Sequence, residues 1–116
     1  MARAKLREIN IKAGMPTVDE ARRVLVESLE TAKTGGVKVL KVIHGHGSTG
    51  VGGKLRGALR RVLESRKKEG DIRGFIRGEE WGMFNEEARG LCERFPYLRE
   101  DEDYNRENPG ITIVEL

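Results

Sequence analysis

The chain has few of the features that mark secreted, membrane-spanning or disordered proteins. Its 116 residues include a single cysteine, Cys92, so no intramolecular disulfide can form. No stretch approaches the roughly 18 consecutive apolar residues that a membrane-spanning helix needs, and the basic N-terminus lacks the apolar segment of a signal peptide. We therefore expect a cytoplasmic protein without a membrane partner and with Cys92 in its core. The oligomeric state stays open.

Aromatic residues are also scarce, at 5% of the chain, while hydrophobic residues make up 37% and charged residues 35%. A chain of this length can bury one core but not two. This composition therefore predicts one domain with a thin core and a highly charged surface. We place that domain at residues 9–116, after a lead-in at residues 1–8.

The charges are divided unevenly along the chain. Residues 1–78 hold 18 Lys or Arg against 8 Asp or Glu, whereas residues 79–116 hold 4 against 11. A basic body suits phosphate backbones, because each Lys or Arg that neutralises a phosphate releases condensed counterions. The uneven charge thus favours a nucleic-acid partner, with the acidic end able to weaken or shield that attraction.

Hydrophobic periodicity predicts an α/β fold built as a two-layer sandwich. Residues 6–11, 37–43, 72–77 and 111–116 have strand patterns, separated by two main helices and an acidic insertion. Thr17 and Glu20 form a capping box at the start of the first helix, and Gly35-Gly36 ends it. We predict a four-stranded mixed sheet with the two main helices packed against it.

The acidic insertion, at about residues 79–110, precedes the last strand. Asn85 opens a short helix there. Trp81 and Phe84 are expected to pack within the insertion and not to stack on bases, because the neighbouring glutamates would repel phosphates.

A glycine-rich loop follows the second strand. It reads His44-Gly45-His46-Gly47-Ser48-Thr49-Gly50, and the strongly basic second helix begins just after it. Ligands of α/β proteins bind at this end of a strand, and glycine amides beside a helix N-terminus favour an anion. The two imidazoles can transfer protons near neutral pH. The loop therefore predicts a phosphate site with acid–base groups beside it.

Two common nucleotide-binding motifs fit this loop poorly. A Walker loop fails twice, since Ser48 stands where its first glycine belongs and Leu55 where a Ser or Thr is required. Gly45, Gly47 and Gly50 match a dinucleotide pattern, but the expected acidic residue precedes the next strand instead of ending it. A small enzyme that binds a nucleotide or a phosphorylated metabolite is an alternative that the charge distribution disfavours.

The loop resembles the His-Gly-x-Gly signature of the Smr (small MutS-related) domain family. The resemblance includes the helix start Lys54-Leu55-Arg56 and the last strand, and spans most of residues 9–116 apart from the acidic insertion. It implies a fold like the C-terminal domain of the third bacterial translation initiation factor. It also implies binding or nicking of DNA or RNA. Some members of the family act on messenger RNA at stalled ribosomes. His44, Gly45 and Gly47 would form the family's second functional motif.

The predicted site combines catalytic groups with phosphate-binding groups. His44 or His46 is the candidate acid or base, and Lys12 and Arg56 would stabilise charge in the transition state. The candidate nucleic-acid and phosphate ligands are Gly45, Gly47, Ser48, Thr49, Gly50, Lys54, Arg56 and Arg60. No metal site and no tightly bound cofactor are predicted, and Mg²⁺ would be needed only by a nuclease.

The first strand departs from the family pattern. The family typically has Leu-Asp-x-His-Gly, where this chain has Ile9-Asn10-Ile11-Lys12-Ala13-Gly14. Asn10 and Lys12 thus replace the acid and the histidine, and neither is an effective general base. We predict a protein that binds RNA or DNA with attenuated or altered endonuclease activity. The alternative is a non-catalytic module that docks on structured RNA or a ribosome.

Overall fold

A four-stranded mixed sheet forms the centre of the molecule. The computed structural model describes residues 5–46 and 51–116. The strands are β1 (Arg7–Asn10), β2 (Val39–Ile43), β3 (Gly74–Arg77) and β4 (Ile111–Glu115), and the helices are α1 (Val18–Thr34), α2 (Val51–Lys68) and α3 (Glu86–Arg94). Short 3₁₀ helices lie at Gly78–Glu80 and Pro96–Glu100. The strand order is β1-β2-β4-β3, with β1 parallel to β2 and β4 antiparallel to both β2 and β3. The predicted mixed sheet is confirmed, and β2 is one of its two interior strands.

The first helix begins and ends as the sequence predicts. The Thr17 hydroxyl accepts a hydrogen bond from the Glu20 amide at 3.1 Å, and the Glu20 carboxylate accepts one from the Thr17 amide at 3.2 Å. This capping box satisfies two amides that have no partner within the helix. Gly35 caps the C-terminus, and Gly36 follows with φ +77°, a left-handed conformation that favours glycine.

The helices α1 and α2 cover one face of the sheet. Leu25 and Leu29 of α1 and Leu59 of α2 are buried against Leu40 and Val42 of β2. The spacing of these leucines places each of them on the side of its helix that faces the strands. The predicted pairing of two main helices with the sheet is confirmed.

The acidic segment, residues 79–110, covers the opposite face of the sheet. Trp81 and Leu91 pack with Val39 and Ile113, and Cys92 is fully buried among them, as predicted. Trp81 also meets Tyr104 edge to face, with ring centroids 5.1 Å apart. The segment is therefore a second core layer and not a surface appendage.

Phe84 does not join this core. Its side chain is 94% exposed, so the prediction that it packs within the insertion is wrong. Trp81, only three residues earlier, is 1% exposed. Composition and local sequence do not distinguish the two positions, because the register of the segment on the sheet decides which aromatic faces inward.

A buried lysine ties the acidic segment to the sheet. Lys41, in the middle of β2, is fully buried, and its ammonium lies 2.8 Å from the Asp101 carboxylate and 2.5 Å from that of Asp103. The Trp81 indole also donates to Asp101, at 3.1 Å. Burial acts to lower the pKa of Lys41, but its hydrogen bonds to Asp101 and Asp103 outweigh burial and raise that pKa above its ordinary value.

No helix within residues 5–46 and 51–116 is long and apolar enough to span a bilayer.

Gly78 joins β3 to the acidic segment where no side chain fits. A Cβ at this position would overlap the Asn108 carbonyl oxygen and lie 2.6 Å from that of Ile111. We expect Gly78→Ala to lower the free energy of unfolding by about 1–3 kcal/mol, because backbone atoms must move to admit the methyl group. Urea denaturation measures this. The matched control is Gly74→Ala, whose Cβ would meet nothing within 4 Å; equal effects of the two substitutions would contradict the packing argument.

Candidate nucleic-acid interface

His44 lies at the carboxyl end of β2 with both ring nitrogens engaged. Its side chain is 1% exposed, with Nδ1 2.7 Å from the Gly45 carbonyl oxygen and Nε2 2.9 Å from the Thr112 hydroxyl. A carbonyl oxygen only accepts, so Nδ1 must carry the proton and Nε2 must accept from Thr112, a tautomer assigned from the hydrogen-bond network. The amides of His44 and Gly45 both donate to the Gly110 carbonyl, each at 3.0 Å. These bonds fasten the start of the loop to the beginning of β4.

The buried imidazole is neutral at physiological pH. The pKa of His44 falls from 6.5 to about 4, because burial, the largest effect, and the nearby charges of Arg60 and Arg56 together lower it by more than the Gly45 carbonyl raises it. The ring is neutral and its Nε2 lone pair already accepts the Thr112 hydroxyl, so its role here is to hold the start of the loop in place. It is poorly suited to exchange protons with a substrate.

The neutral His44 makes stability depend on pH. The unfolded chain takes up a proton on this residue near pH 6.5, but the folded chain resists it until about pH 4. The contribution is therefore present above pH 6.5 and is lost as the pH falls towards 4. We expect wild type to lose up to about 3 kcal/mol relative to His44→Gln across this interval, measured by urea denaturation at each pH. His46→Gln, which removes a histidine from an exposed position, is the matched control, and a constant gap between wild type and His44→Gln would contradict the neutral buried ring.

Arg60 of α2 supports His44 from the other side of Thr112. Its Nε donates to the Thr112 hydroxyl at 3.2 Å, and its guanidinium donates to the Ile111 carbonyl at 3.2 Å and to both Glu79 oxygens at 2.7 and 3.1 Å. Burial acts to raise the pKa of Glu79, but the hydrogen bond and charge of Arg60, a backbone hydrogen bond and the charge of Arg56 together outweigh burial and lower it. Arg60, Thr112 and His44 thus form one hydrogen-bonded chain from α2 through β4 to the loop.

An open groove lined by arginines lies beside this chain. It has a volume of about 410 Å³, and we define the arginine groove by Arg56, Arg60, Arg61 and Arg77. Glu64 and Glu79 also line it. Within the part of the chain that the structure describes, Arg60 is paired with Glu79, whereas Arg56, Arg61 and Arg77 form no ion pair. Three guanidinium groups are therefore available to an anionic ligand.

Lys12 approaches the loop from the end of β1. A Cβ on Gly45, whose φ is +75°, would lie 3.4 Å from Lys12 Cδ, so the lysine side chain lies beside Gly45. Lys12, His46 and Lys54 are all exposed. The structure brings Lys12, His44 and Gly45 together, and it places Arg56 and Arg60 on the α2 side of them. The predicted ligands Gly47, Ser48, Thr49 and Gly50 lie outside the described residues.

Asn10 lies where the resemblance to the Smr family leads us to expect an acid. Its side-chain oxygen accepts from the Ala13 amide at 3.1 Å, so it stabilises the turn after β1. Among the described residues, no group of three or more His, Cys, Asp or Glu side chains could hold a metal ion.

Sequence motifs did not predict four residues of this surface: Arg61, Arg77, Glu79 and Thr112. Of these four, only Thr112 could have been found from the sequence, because it is a polar residue within the apolar strand 111–114. A buried polar side chain needs a hydrogen-bonding partner, and here the partners are His44 and Arg60.

The fold and this surface define a small α/β domain in which a glycine-rich sequence joins the end of β2 to a basic helix. The family model of the Smr domain matches residues 13–80, and the chain belongs to that family. The Smr domain of Thermus thermophilus MutS2 has the same fold, with a TM-score of 0.60 and 22% identity over 96% of this chain and 98% of that domain. No curated protein matches the chain.

Proposed function

We propose that this protein binds nucleic acid on the surface formed by the loop after β2 and the arginine groove, and that it binds without cutting. The observation that supports this most is the set of three arginines, Arg56, Arg61 and Arg77, that line the groove and form no ion pair among the described residues. The domain belongs to a family associated with nucleic acids, which agrees with this charge.

The chemistry of the groove suits phosphates. Guanidinium groups are planar, stay charged at all physiological pH values and can donate two parallel hydrogen bonds to one phosphate. Lys12 adds a flexible charge on the other side of the loop, and the released counterions make such binding strongly dependent on salt.

The absence of cleavage follows from the groups beside the loop. A nuclease of the predicted kind would use His44 or His46 as acid and base, with Lys12 stabilising charge. His44 has no free ring nitrogen and is 1% exposed, and Asn10 cannot replace the carboxylate that the family has in the first strand. A module that docks on structured RNA, including that of a ribosome, fits these residues better than an endonuclease.

The test measures separately whether the protein binds nucleic acid and whether it cuts it. Labelled single- and double-stranded RNA and DNA are incubated with the protein in Mg²⁺ or in EDTA, beside the variants His44→Gln and His46→Gln. We expect retention that weakens steeply with salt and no cleavage under either condition. Cleavage in Mg²⁺ that either variant abolishes would establish a nuclease instead. Saturable binding of mononucleotides, with no retention of polymers, would favour the small-ligand alternative.

A further inference from the structure

Phe84 is the most exposed large hydrophobic residue among the described residues. All six aromatic residues are described, and Phe84 is the one whose side chain is exposed, at 94%. Its neighbour Met83 is 52% exposed. We define the knob as residues 82–85, between the buried Trp81 and the start of α3. An exposed apolar side chain of this size, if it is held in place, is typical of a contact with another macromolecule.

The knob is held firmly by hydrogen bonds. The Asn105 side chain accepts from the Met83 amide at 2.7 Å, and Arg89 donates to the Met83 carbonyl at 2.8 Å. Asn85 closes the turn by donating its amide to the Gly82 carbonyl, and its side chain caps α3. Phe84 is thus presented on an ordered turn, which reduces the entropy lost when it docks.

The charge around the knob selects the partner. Five glutamates are close to Phe84 in sequence or line the shallow pocket beside it: Glu79, Glu80, Glu86, Glu87 and Glu107. They would repel the phosphates of a nucleic acid, and they favour a positively charged surface with room for an aromatic ring.

Such a surface lies next to the knob on the same molecule. Glu79 lines both the pocket beside Phe84 and the arginine groove, so the knob and the groove are neighbours. A patch that contains a protrusion and a complementary recess side by side can pair with itself across a two-fold axis. We propose that two copies of this chain form such a dimer, in which Phe84 of each copy enters the arginine groove of the other.

The contacts in this dimer are chemically favourable. The face of Phe84 can stack on a guanidinium of Arg56 or Arg61, and the glutamates of the rim can pair with those arginines. The dimer covers the groove that nucleic acid would occupy, so the two ligands compete. This last consequence rests on the proposed function, whereas dimerisation does not.

The test is sedimentation velocity of the full chain, from micromolar to submillimolar concentration, at low and at high salt. We expect a monomer–dimer equilibrium at low salt that shifts to monomer at high salt. Phe84→Ser should weaken self-association roughly 30-fold or more, the effect typical of a buried aromatic anchor. Val24→Ser is the matched control, since Val24 is an exposed apolar residue of α1, and it should behave as wild type.

Several results would overturn the dimer. They are a wild type that stays monomeric throughout, a dimer unaffected by Phe84→Ser, and assemblies that grow beyond two copies. A short single-stranded RNA added to the wild type should return it to monomer. A wild type that is monomeric and binds RNA would contradict the proposed dimer but not the proposed function. A Phe84-dependent dimer that binds neither RNA nor DNA would contradict the proposed function but not the dimer.

Discussion

Replacing Lys41 with methionine is expected to lower the free energy of unfolding by about 3–5 kcal/mol, the cost of leaving a buried charge without its partner. The Asp101 side chain is 5% exposed and the Asp103 side chain 18%, so neither carboxylate can recover full hydration when the ammonium is removed. Methionine has nearly the length of lysine, so little of the loss comes from packing. Urea denaturation at neutral pH measures the change.

Two further variants separate charge from volume. Lys38→Met, at an exposed position just before β2, should change stability by no more than about 0.5 kcal/mol. The triple variant Lys41→Met, Asp101→Asn, Asp103→Asn should be more stable than Lys41→Met alone, because it contains no unpaired buried charge. If Lys41→Met were as stable as Lys38→Met, the ion-pair cluster could not be what fastens the acidic segment to the sheet.

The double variant Arg56→Ala, Arg61→Ala is expected to bind nucleic acid on the order of 100-fold more weakly at low salt. Each arginine that contacts a phosphate releases about 0.7 to 0.9 of a counterion, so the slope of log affinity against log salt should also become shallower by about 1.4 to 1.8. Fluorescence anisotropy with labelled RNA and DNA over a series of salt concentrations measures both quantities.

Arg73→Ala is the matched control for this variant. Arg73 is an exposed arginine that immediately precedes β3 and does not line the arginine groove. It removes one positive charge and should leave the affinity close to that of wild type. Since the double variant removes two charges, a loss of log affinity from Arg73→Ala about half as large as that from the double variant would mean that net charge, and not the groove, determines binding.

The layout of the sheet and of α1 and α2 could be predicted because local signals agreed with one another. The capping box at Thr17, the Gly35-Gly36 stop and the regular leucines of α1 and α2 depend on residues close in sequence. The four strand patterns each lie within a few residues of the observed strands. The packing of the acidic segment on the second face could not be predicted, because it depends on contacts between distant residues, such as Lys41 with Asp101 and Asp103.

The sequence predicts where the candidate site lies, but it could not predict the burial and hydrogen bonding of the groups there. The motif identified the loop at His44, but it could not show that the imidazole is buried, since that depends on Thr112, 68 residues further along the chain. Likewise, the sequence could not show which arginines of α2 are paired. Arg60 forms an ion pair with Glu79, whereas Arg56 and Arg61 form none among the described residues. Whether the predicted catalytic and phosphate-binding residues contact a ligand stays a prediction.

The most direct test of the nucleic-acid surface is an NMR titration of the arginine side-chain Nε–H signals with single-stranded RNA and, separately, duplex DNA. The account predicts that the signals of Arg56, Arg61 and Arg77 shift with at least one of the two polymers, while that of Arg73 does not. Binding that shifts Arg73 and leaves those three signals unchanged would contradict the proposed interface, and no shift of any arginine at low salt would contradict nucleic-acid binding itself.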